Sequence, residues 1–272
     1  MRRVLVAAAL ALSLAALPGR AAETVRLHAA GSLKPAMSEI AAAFAAAYGI
    51  AVRAEFGASG LVRERLEEGE AGDIFASADM GNPLALMRAG KAGPVVLFAR
   101  NRLCAIARPG LAVTPATLLA TMLDPAIKLG TSTPKADPSG DYAWTVFGKA
   151  ETVAPGSRAV LEAKALMLTG GPQSPLPPDG RNVYAWHLAA GRADLFLGYC
   201  TTGRPASAEL PGVSLVDLPL ALATGAEYGL TVLKTAEPVI AATFALYILS
   251  PEGQTILARH GFAAPTMPDG QR

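Results

Sequence analysis

Hydrophobic and polar positions along the chain change repeatedly between the period of a strand and the period of a helix. Residues 50–56 alternate apolar and polar side chains, which predicts a strand, and residues 61–66 repeat at helical spacing until Gly69. The turn between them contains Ser59 among small residues. A strand, a turn and a helix start together aim unpaired backbone N–H groups and the positive end of a helix dipole at one point. That point suits an anion, although a serine before a helix is most often only a cap.

The same arrangement occurs earlier in the chain. Residues 23–30 predict a first strand, which leads through Ser32 into a helix that starts near Pro35 and stops at Gly49. A third strand is predicted over residues 73–79, after the short second helix. This β-α-β-α-β order is typical of a mostly parallel sheet that helices cover on both faces.

Later segments continue the alternation. The pattern predicts strands over residues 94–100, 102–107, 126–131, 193–199 and 228–234, and helices over residues 117–123, 142–147, 158–168, 184–190 and 239–260, the last broken near 251–253. Two more turns of the same kind therefore contain Ser139 and Val183, and Tyr199 ends one of the strands. Ligands of open parallel sheets bind outside the C-terminal ends of the strands, so we expect these positions on the functional edge.

The N-terminus has the composition of an export signal. Two arginines follow Met1, residues 4–17 are apolar apart from Ser13, and small residues follow Pro18. The apolar run is shorter than the ~20 residues that span a bilayer. We therefore interpret residues 1–22 as a cleaved secretory signal peptide and expect a periplasmic mature protein.

Removal of this signal changes the charge of the protein. The sequence has 24 Lys and Arg against 22 Asp and Glu, and three of the arginines, Arg2, Arg3 and Arg20, lie in the signal. The mature chain therefore has 21 basic and 22 acidic residues, a net charge of −1. Nucleic-acid binding requires a basic surface, and we expect none. A bound anion would be held by aimed dipoles and not by a general cationic field.

Three features leave alternatives open. Cys104 and Cys200 either form a disulfide, which an exported compartment permits, or remain two buried thiols. Residues 169–180 are rich in glycine and proline, which predicts a surface loop. Arg181 follows this loop; a solvent-facing Arg181 would be neutral for binding, whereas an inward one would favour a carboxylate or phosphonate ligand.

The sequence carries no recognisable catalytic constellation. The three histidines, His28, His187 and His260, show no metal-ligand spacing, and neither a GxSxG elbow nor a Walker-type loop occurs. We therefore expect a binding protein and not an enzyme. A ligand-sensing module that reports to a separate receptor is an alternative, because the same fold can serve both functions.

Short motifs match a known family in order and spacing: AGSL at 30–33, FGASG at 56–60, DIFASAD at 73–79, PSGDY at 138–142, GY at 198–199, SPEG at 250–253 and HGF at 260–262. Through these motifs, nearly the whole mature chain resembles the periplasmic molybdate-binding proteins of ABC transporters. The resemblance implies an α/β, two-lobe type II periplasmic binding protein fold with mostly parallel sheets and a ligand cleft between the lobes. It places residues 23–99 and 225–272 in the first lobe and residues 100–224 in the second.

The resemblance also implies a ligand and its contacts. The hydroxyl groups of Ser32, Ser59 and Tyr199 and the backbone N–H groups of Ser139 and Val183 would hold a tetrahedral oxyanion, molybdate or tungstate, without a cofactor or metal cation. A monomer that delivers this ion to an ABC transporter permease in the membrane is implied.

Two departures from the family pattern leave sulfate, phosphonate and carboxylate as alternative ligands. The loop over residues 169–180 is longer than in the family. Ser139 stands where the family often has alanine.

Overall fold

The computed structural model describes residues 24–234 and 237–265, and the predicted signal peptide lies outside them. The strands are β1 (Thr24–Ala30), β2 (Ala51–Gly57), β3 (Ile74–Ser77), β4 (Ala92–Ala107), β5 (Leu129–Ser132), β6 (Leu166–Thr169), β7 (Leu195–Tyr199), β8 (Ser214–Asp217) and β9 (Gly225–Leu233). The helices are α1 (Lys34–Tyr48), α2 (Ser59–Glu67), α3 (Gly81–Arg88), α4 (Leu118–Leu123), α5 (Pro138–Val153), α6 (Ser157–Lys164), α7 (Val183–Ala189), α8 (Cys200–Glu209), α9 (Pro238–Leu249) and α10 (Pro251–Arg259). Among the described residues, none of the helices is both long and apolar enough to cross a membrane.

The strands form a mixed sheet in the order β2-β1-β3-β9-β4-β7-β5-β6, with β8 beside β4. Strand β1 pairs in parallel with β2 and β3, and β5 pairs in parallel with β6 and β7. Strands β4 and β9 pair with each other and with their remaining neighbours in the antiparallel sense. Two parallel groups of strands are therefore joined by two antiparallel strands.

Strand β4 links the two groups. Its residues 92–102 pair with β9, and residues 103–107 pair with β7. We call the group β1-β2-β3 with β9 and its helices α1, α2, α3, α9 and α10 the first lobe. The group β5-β6-β7 with β8 and helices α4 to α8 is the second lobe. The lobe boundaries expected after residues 99 and 224 stay predictions, and β4 is continuous across the first of them.

Both faces of the parallel groups are covered, as strands without a solvent-facing side require. In the first lobe, Leu27 and Ile74 lie in one buried cluster with Phe44 of α1. On the opposite face, Phe75 lies in a second cluster with Val62 of α2. The apolar run of residues 74–76 in β3 follows from this burial on two sides.

Two predicted elements differ from the structure in their bounds. The separate strands over residues 94–100 and 102–107 are a single strand, β4, because the polar residue Asn101 is buried and hydrogen-bonded within it. The helix predicted over residues 158–168 ends at Lys164, and residues 166–169 form β6. Residues 166–169 extend because they pair with β5, for example Leu166 with Gly130, although the leucines have helical spacing.

A disulfide joins Cys104 of β4 to Cys200, the first residue of α8, and resolves the alternative between bridge and free thiols. The two cysteines are 96 residues apart in sequence.

Replacing both with serine is expected to lower the free energy of unfolding by about 2–4 kcal/mol, because the open chain regains the entropy that the closed loop removes. Urea unfolding followed by circular dichroism measures the loss. Wild-type protein in reductant should reproduce it, and an unchanged midpoint in both samples would contradict the expectation.

Candidate functional site

Ser59 begins α2 and is almost fully buried, with 1% of its surface exposed. Its Oγ accepts a hydrogen bond from the Ala78 N–H at 3.1 Å. Because an N–H group can only donate, this contact does not use the hydroxyl hydrogen of Ser59. The serine therefore keeps a donor at the start of a helix.

Asn101 of β4 has a fixed amide orientation. The Arg102 N–H donates to Asn101 Oδ1 at 2.8 Å, so the amide nitrogen faces the other way. That nitrogen donates to the Thr201 hydroxyl at 2.8 Å and to the Tyr228 hydroxyl at 3.1 Å. The hydroxyl oxygens of Thr201 and Tyr228 therefore each accept a hydrogen bond from the Asn101 amide.

The orientation set by Asn101 extends to Ser32. Tyr228 Oη, which accepts from Asn101, lies 2.9 Å from Ser32 Oγ. With one lone pair of its oxygen engaged by the amide, the phenol can direct its own hydrogen to the Ser32 oxygen, and in that arrangement the Ser32 hydrogen is free to donate. The chain Asn101–Tyr228–Ser32 is thus compatible with Ser32 as a donor, and the Ala78 contact leaves the Ser59 hydrogen available.

Tyr199 ends β7 and belongs to a cluster of phenol rings. Its ring centroid lies 6.4 Å from that of Tyr142 and 5.7 Å from that of Tyr228. Its hydroxyl donates at 3.5 Å to the carbonyl oxygen of Ala78, the residue whose N–H donates to Ser59. Burial raises the pKa of Tyr199 well above its usual value and raises the pKa of Tyr142 to about 12. Both phenols therefore stay protonated at neutral pH and can donate.

Ser139 lies in the first turn of α5, where Asp137 caps the helix. The Ser139 N–H donates to Asp137 Oδ1 at 3.0 Å, and the Ser132 hydroxyl donates to Asp137 Oδ2 at 2.7 Å. The residue is partly accessible, but protein atoms surround its carboxyl group, and desolvation raises the pKa of Asp137. The negative charges of Asp141 and Asp79 raise that pKa further. The amide expected to bind the anion is thus already engaged by a helix cap.

Val183 is the first residue of α7 and follows the cap Asn182. Asn182 Oδ1 accepts the two amides after Val183, from Tyr184 at 2.9 Å and from Ala185 at 3.1 Å. The amide nitrogen of Asn182 donates to the Thr202 carbonyl at 2.9 Å and so ties the start of α7 to the start of α8.

Arg181, next to these helix starts, pairs with Glu209 at 2.5 Å between its Nε and the carboxylate. Its guanidinium is therefore engaged by an acidic residue of α8. Arg181 therefore gives no argument for a carboxylate or phosphonate ligand.

The two lobes meet beside Ser59. The Gly60 N–H of the first lobe donates to the Ala136 carbonyl of the second at 2.8 Å. A Cβ added at Gly60 would lie 2.2 Å from the Lys135 carbonyl oxygen and 2.7 Å from the Ala136 carbonyl oxygen. Only a glycine allows this approach of the two backbones.

The structure links three of the five predicted residues. Ser32, Tyr199 and Ser59 are connected through Tyr228 and Ala78. Ser139 and Val183 stand at the helix starts predicted for them, and their part in binding stays a prediction.

Sequence reasoning missed Asn101 and Tyr228. A polar residue between two apolar runs was the available signal for Asn101. No comparable signal existed in the sequence for Tyr228, which lies at the start of a predicted apolar strand.

Two α/β lobes joined by crossing strands have the two-lobe fold of periplasmic binding proteins, so the expected fold class is confirmed. The family model described as bacterial extracellular solute-binding protein matches residues 25–263. The chain belongs to this family, whose members are binding proteins.

Curated relatives extend the comparison. The chain is 38% identical over 178 residues to uncharacterized protein PM1146 of Pasteurella multocida, covering 65% of this chain and 74% of that one. It is 26% identical over 253 residues to the molybdate-binding protein ModA of Mycobacterium bovis, covering 91% and 87%. The resemblance to molybdate-binding proteins is thereby confirmed.

Solved structures share the fold. The periplasmic molybdate-binding protein of Azotobacter vinelandii superposes with a TM-score of 0.73 at 21% identity, over 89% of this chain and 100% of that one. The sulfate-binding protein SubI of Mycobacterium tuberculosis superposes with a TM-score of 0.72 at 19% identity, over 89% and 87%. At these identities the likeness concerns the fold alone.

Proposed function

We propose that this protein is the periplasmic solute-binding component of an ABC importer and captures a tetrahedral oxyanion, molybdate or tungstate, between its two lobes. The observation that carries the proposal is the hydrogen-bond setting of the hydroxyl groups of Ser59 and Ser32. Ser59 accepts from Ala78, and Ser32 is adjacent to a phenol that accepts from Asn101. In the arrangement that we propose, Tyr228 donates to Ser32, and the hydrogens of both serines bind the ligand.

A donor-only site suits a fully deprotonated dianion. Molybdate, tungstate and sulfate carry acceptor oxygens and no hydrogen at neutral pH, so each hydrogen directed at them forms a favourable contact. Each charge-assisted hydrogen bond contributes about 1.5–3 kcal/mol. Donors from both lobes would stabilise the closed form, because only that form satisfies all the oxygens.

The relatives favour this ligand class. ModA of Mycobacterium bovis is named for molybdate, and SubI of Mycobacterium tuberculosis is named for sulfate. Sulfate is therefore the second candidate, and the two differ in the length of the bonds from the central atom to oxygen.

Export and transport complete the proposal. Residues 1–22 would direct the chain to the periplasm and be removed. The mature monomer would then release its ion to a permease in the membrane, and co-purification with that permease would separate transport from the sensing alternative.

Replacing Ser59 with alanine is expected to weaken dianion binding by roughly ten- to a hundredfold, since one charge-assisted hydrogen bond of about 1.5–3 kcal/mol is lost. Ser32→Ala should have a similar effect. Isothermal titration of the mature protein with tungstate, molybdate and sulfate measures both. Ser157→Ala is the matched control, because Ser157 is a buried serine at the first position of α6. Unchanged affinity in the Ser32 and Ser59 variants would remove these turns from the site.

A thermal-shift series on the mature protein tests the ligand class directly. A ligand that binds only the native state raises the unfolding midpoint by mass action. We expect shifts with molybdate and tungstate and smaller ones with phosphate and small carboxylates. A series in which no inorganic dianion shifts the midpoint would overturn the proposed function.

A further inference from the structure

His28 of β1 is a buried histidine with one unused nitrogen. The residue is 3% exposed, and its Nε2 lies 3.1 Å from the Ala71 carbonyl oxygen. A carbonyl only accepts, so Nε2 carries the hydrogen and Nδ1 presents a bare lone pair. Within the described part of the chain, Nδ1 has no hydrogen-bond partner. The backbone of Gly72 packs closely against the imidazole ring and restricts its position, because a Cβ added at Gly72 would lie 2.6 Å from His28 Cδ2.

Two carboxylates face this lone pair. Glu70 Oε1 lies 3.9 Å from His28 Nδ1, and Glu55 is the direct neighbour of His28 in the register of β1 and β2. One ligand atom from each of the three side chains lies within 4.8 Å of the other two.

Arg65 currently balances the two carboxylates. Its Nε lies 2.8 Å from Glu70 Oε2, and its terminal nitrogen lies 3.9 Å from Glu55 Oε2. The Arg65 side chain is 49% exposed, so it can turn to solvent.

We propose that His28, Glu55 and Glu70 form a binding site for a divalent transition-metal ion, Zn²⁺ in the first place. One imidazole nitrogen and two carboxylates are ligands that Zn²⁺ accepts at about 2.0–2.2 Å, which places neighbouring ligand atoms about 3.3 Å apart. Side-chain movements of about an ångström bring the present separations to that value. The contact of Nε2 with the Ala71 carbonyl fixes the tautomer that a metal needs, as carbonyl partners do for metal-bound histidines.

The ion would replace Arg65 as the counter-charge of Glu55 and Glu70. It would tie the sheet-edge strand β2 and the turn after α2 to β1. Because this site uses none of the residues proposed for the oxyanion, the two proposals stand or fall separately. The other cluster with metal-binding residue types, Cys104, Cys200 and Asp217, has its sulfurs in a disulfide.

The test is isothermal titration and thermal shift of chelator-treated mature protein with ZnCl₂. Chloride salts and a buffer without oxyanions are used so that no ligand binds at the proposed oxyanion site during the titration. We expect one Zn²⁺ per chain and a raised unfolding midpoint, with little response to Mg²⁺ or Ca²⁺. Glu70→Gln and Glu55→Gln, both at partly exposed side chains, should weaken Zn²⁺ binding at least about tenfold, and His28→Gln should abolish it.

Two further variants separate this site from general histidine binding. His260→Gln is the matched control, because His260 also pairs with a glutamate, at 2.8 Å from Glu39, and it should bind Zn²⁺ as the wild type does. Arg65→Gln should bind Zn²⁺ more tightly, since the competing cation is gone. Absence of Zn²⁺ binding to the wild type, or binding that the Glu55 and Glu70 variants leave unchanged, would overturn the proposal, whatever the oxyanion titrations give.

Discussion

Replacing Gly60 with alanine is expected to weaken oxyanion binding by roughly a thousandfold while leaving the folded state stable. The new Cβ would lie 2.2 Å from the Lys135 carbonyl oxygen, so α2 and the turn before α5 cannot meet. The donors of the first lobe then cannot share a ligand with Tyr199 and Val183 of the second. Loss of two charge-assisted hydrogen bonds costs about 3–6 kcal/mol, which is roughly a hundred- to ten-thousandfold in affinity.

Stability should not fall in this variant, because the clash lies between the lobes and alanine is favoured over glycine in a helix by about 0.5–1 kcal/mol. Titration with tungstate measures affinity, and small-angle scattering measures closure, which should reduce the radius of gyration of the wild type only. Gly148→Ala is the control, since a Cβ there meets nothing within 4 Å. Affinity close to that of the wild type would show that binding does not need the Gly60 contact.

Asn101→Asp is the second change with a large expected effect. A carboxylate keeps the shape of the amide, still accepts from the Arg102 N–H, and accepts where the amide donates. Tyr228 would then give its hydrogen to the new carboxylate, and the Ser32 hydroxyl would turn its hydrogen toward Tyr228. A dianion would lose one donor, about 1.5–3 kcal/mol, and meet a new negative charge, so we expect its affinity to fall by more than about a hundredfold.

The reversed hydroxyl also changes selectivity, which separates this role from a merely structural one. Hydrogen phosphate keeps a proton near neutral pH and needs an acceptor in its site. The turned Ser32 oxygen could supply that acceptor, so phosphate should lose less affinity than sulfate or tungstate. Parallel losses for all three anions would contradict the role given to Asn101.

A double variant tests the link through Tyr228. Adding Tyr228→Phe to Asn101→Asp removes the oxygen to which Ser32 turns, and part of the dianion affinity should return. Gln173→Glu, the same amide-to-carboxylate change at an exposed position, controls for the added charge. A double variant that binds no better than Asn101→Asp alone would show that the effect does not pass through the phenol.

The sequence predicted most elements because their signals are local. Alternation in residues 50–56, helical spacing after Ser59 and the stop at Gly49 each depend on neighbours a few residues apart, and β2, α2 and α1 follow them. The helix predicted over residues 158–168 was too long at its C-terminal end, because the strand β6 exists only through its partner β5. The same locality explains why Ser32 and Ser59 stood out as candidates, since each begins a helical turn after a strand.

Taken by itself, the sequence determined an α/β chain with hydroxyl groups and helix starts at the ends of its strands, since periodicity and turn residues act over short distances, and its resemblance to a known family implied the two lobes. Only the tertiary structure decided which donors and acceptors those hydroxyl groups meet. Asn101 and Tyr228 are 127 residues apart, and Gly60 meets Ala136 across the cleft. Hydrogen-bond direction depends on which donor faces which acceptor in space, and no local pattern encodes that encounter.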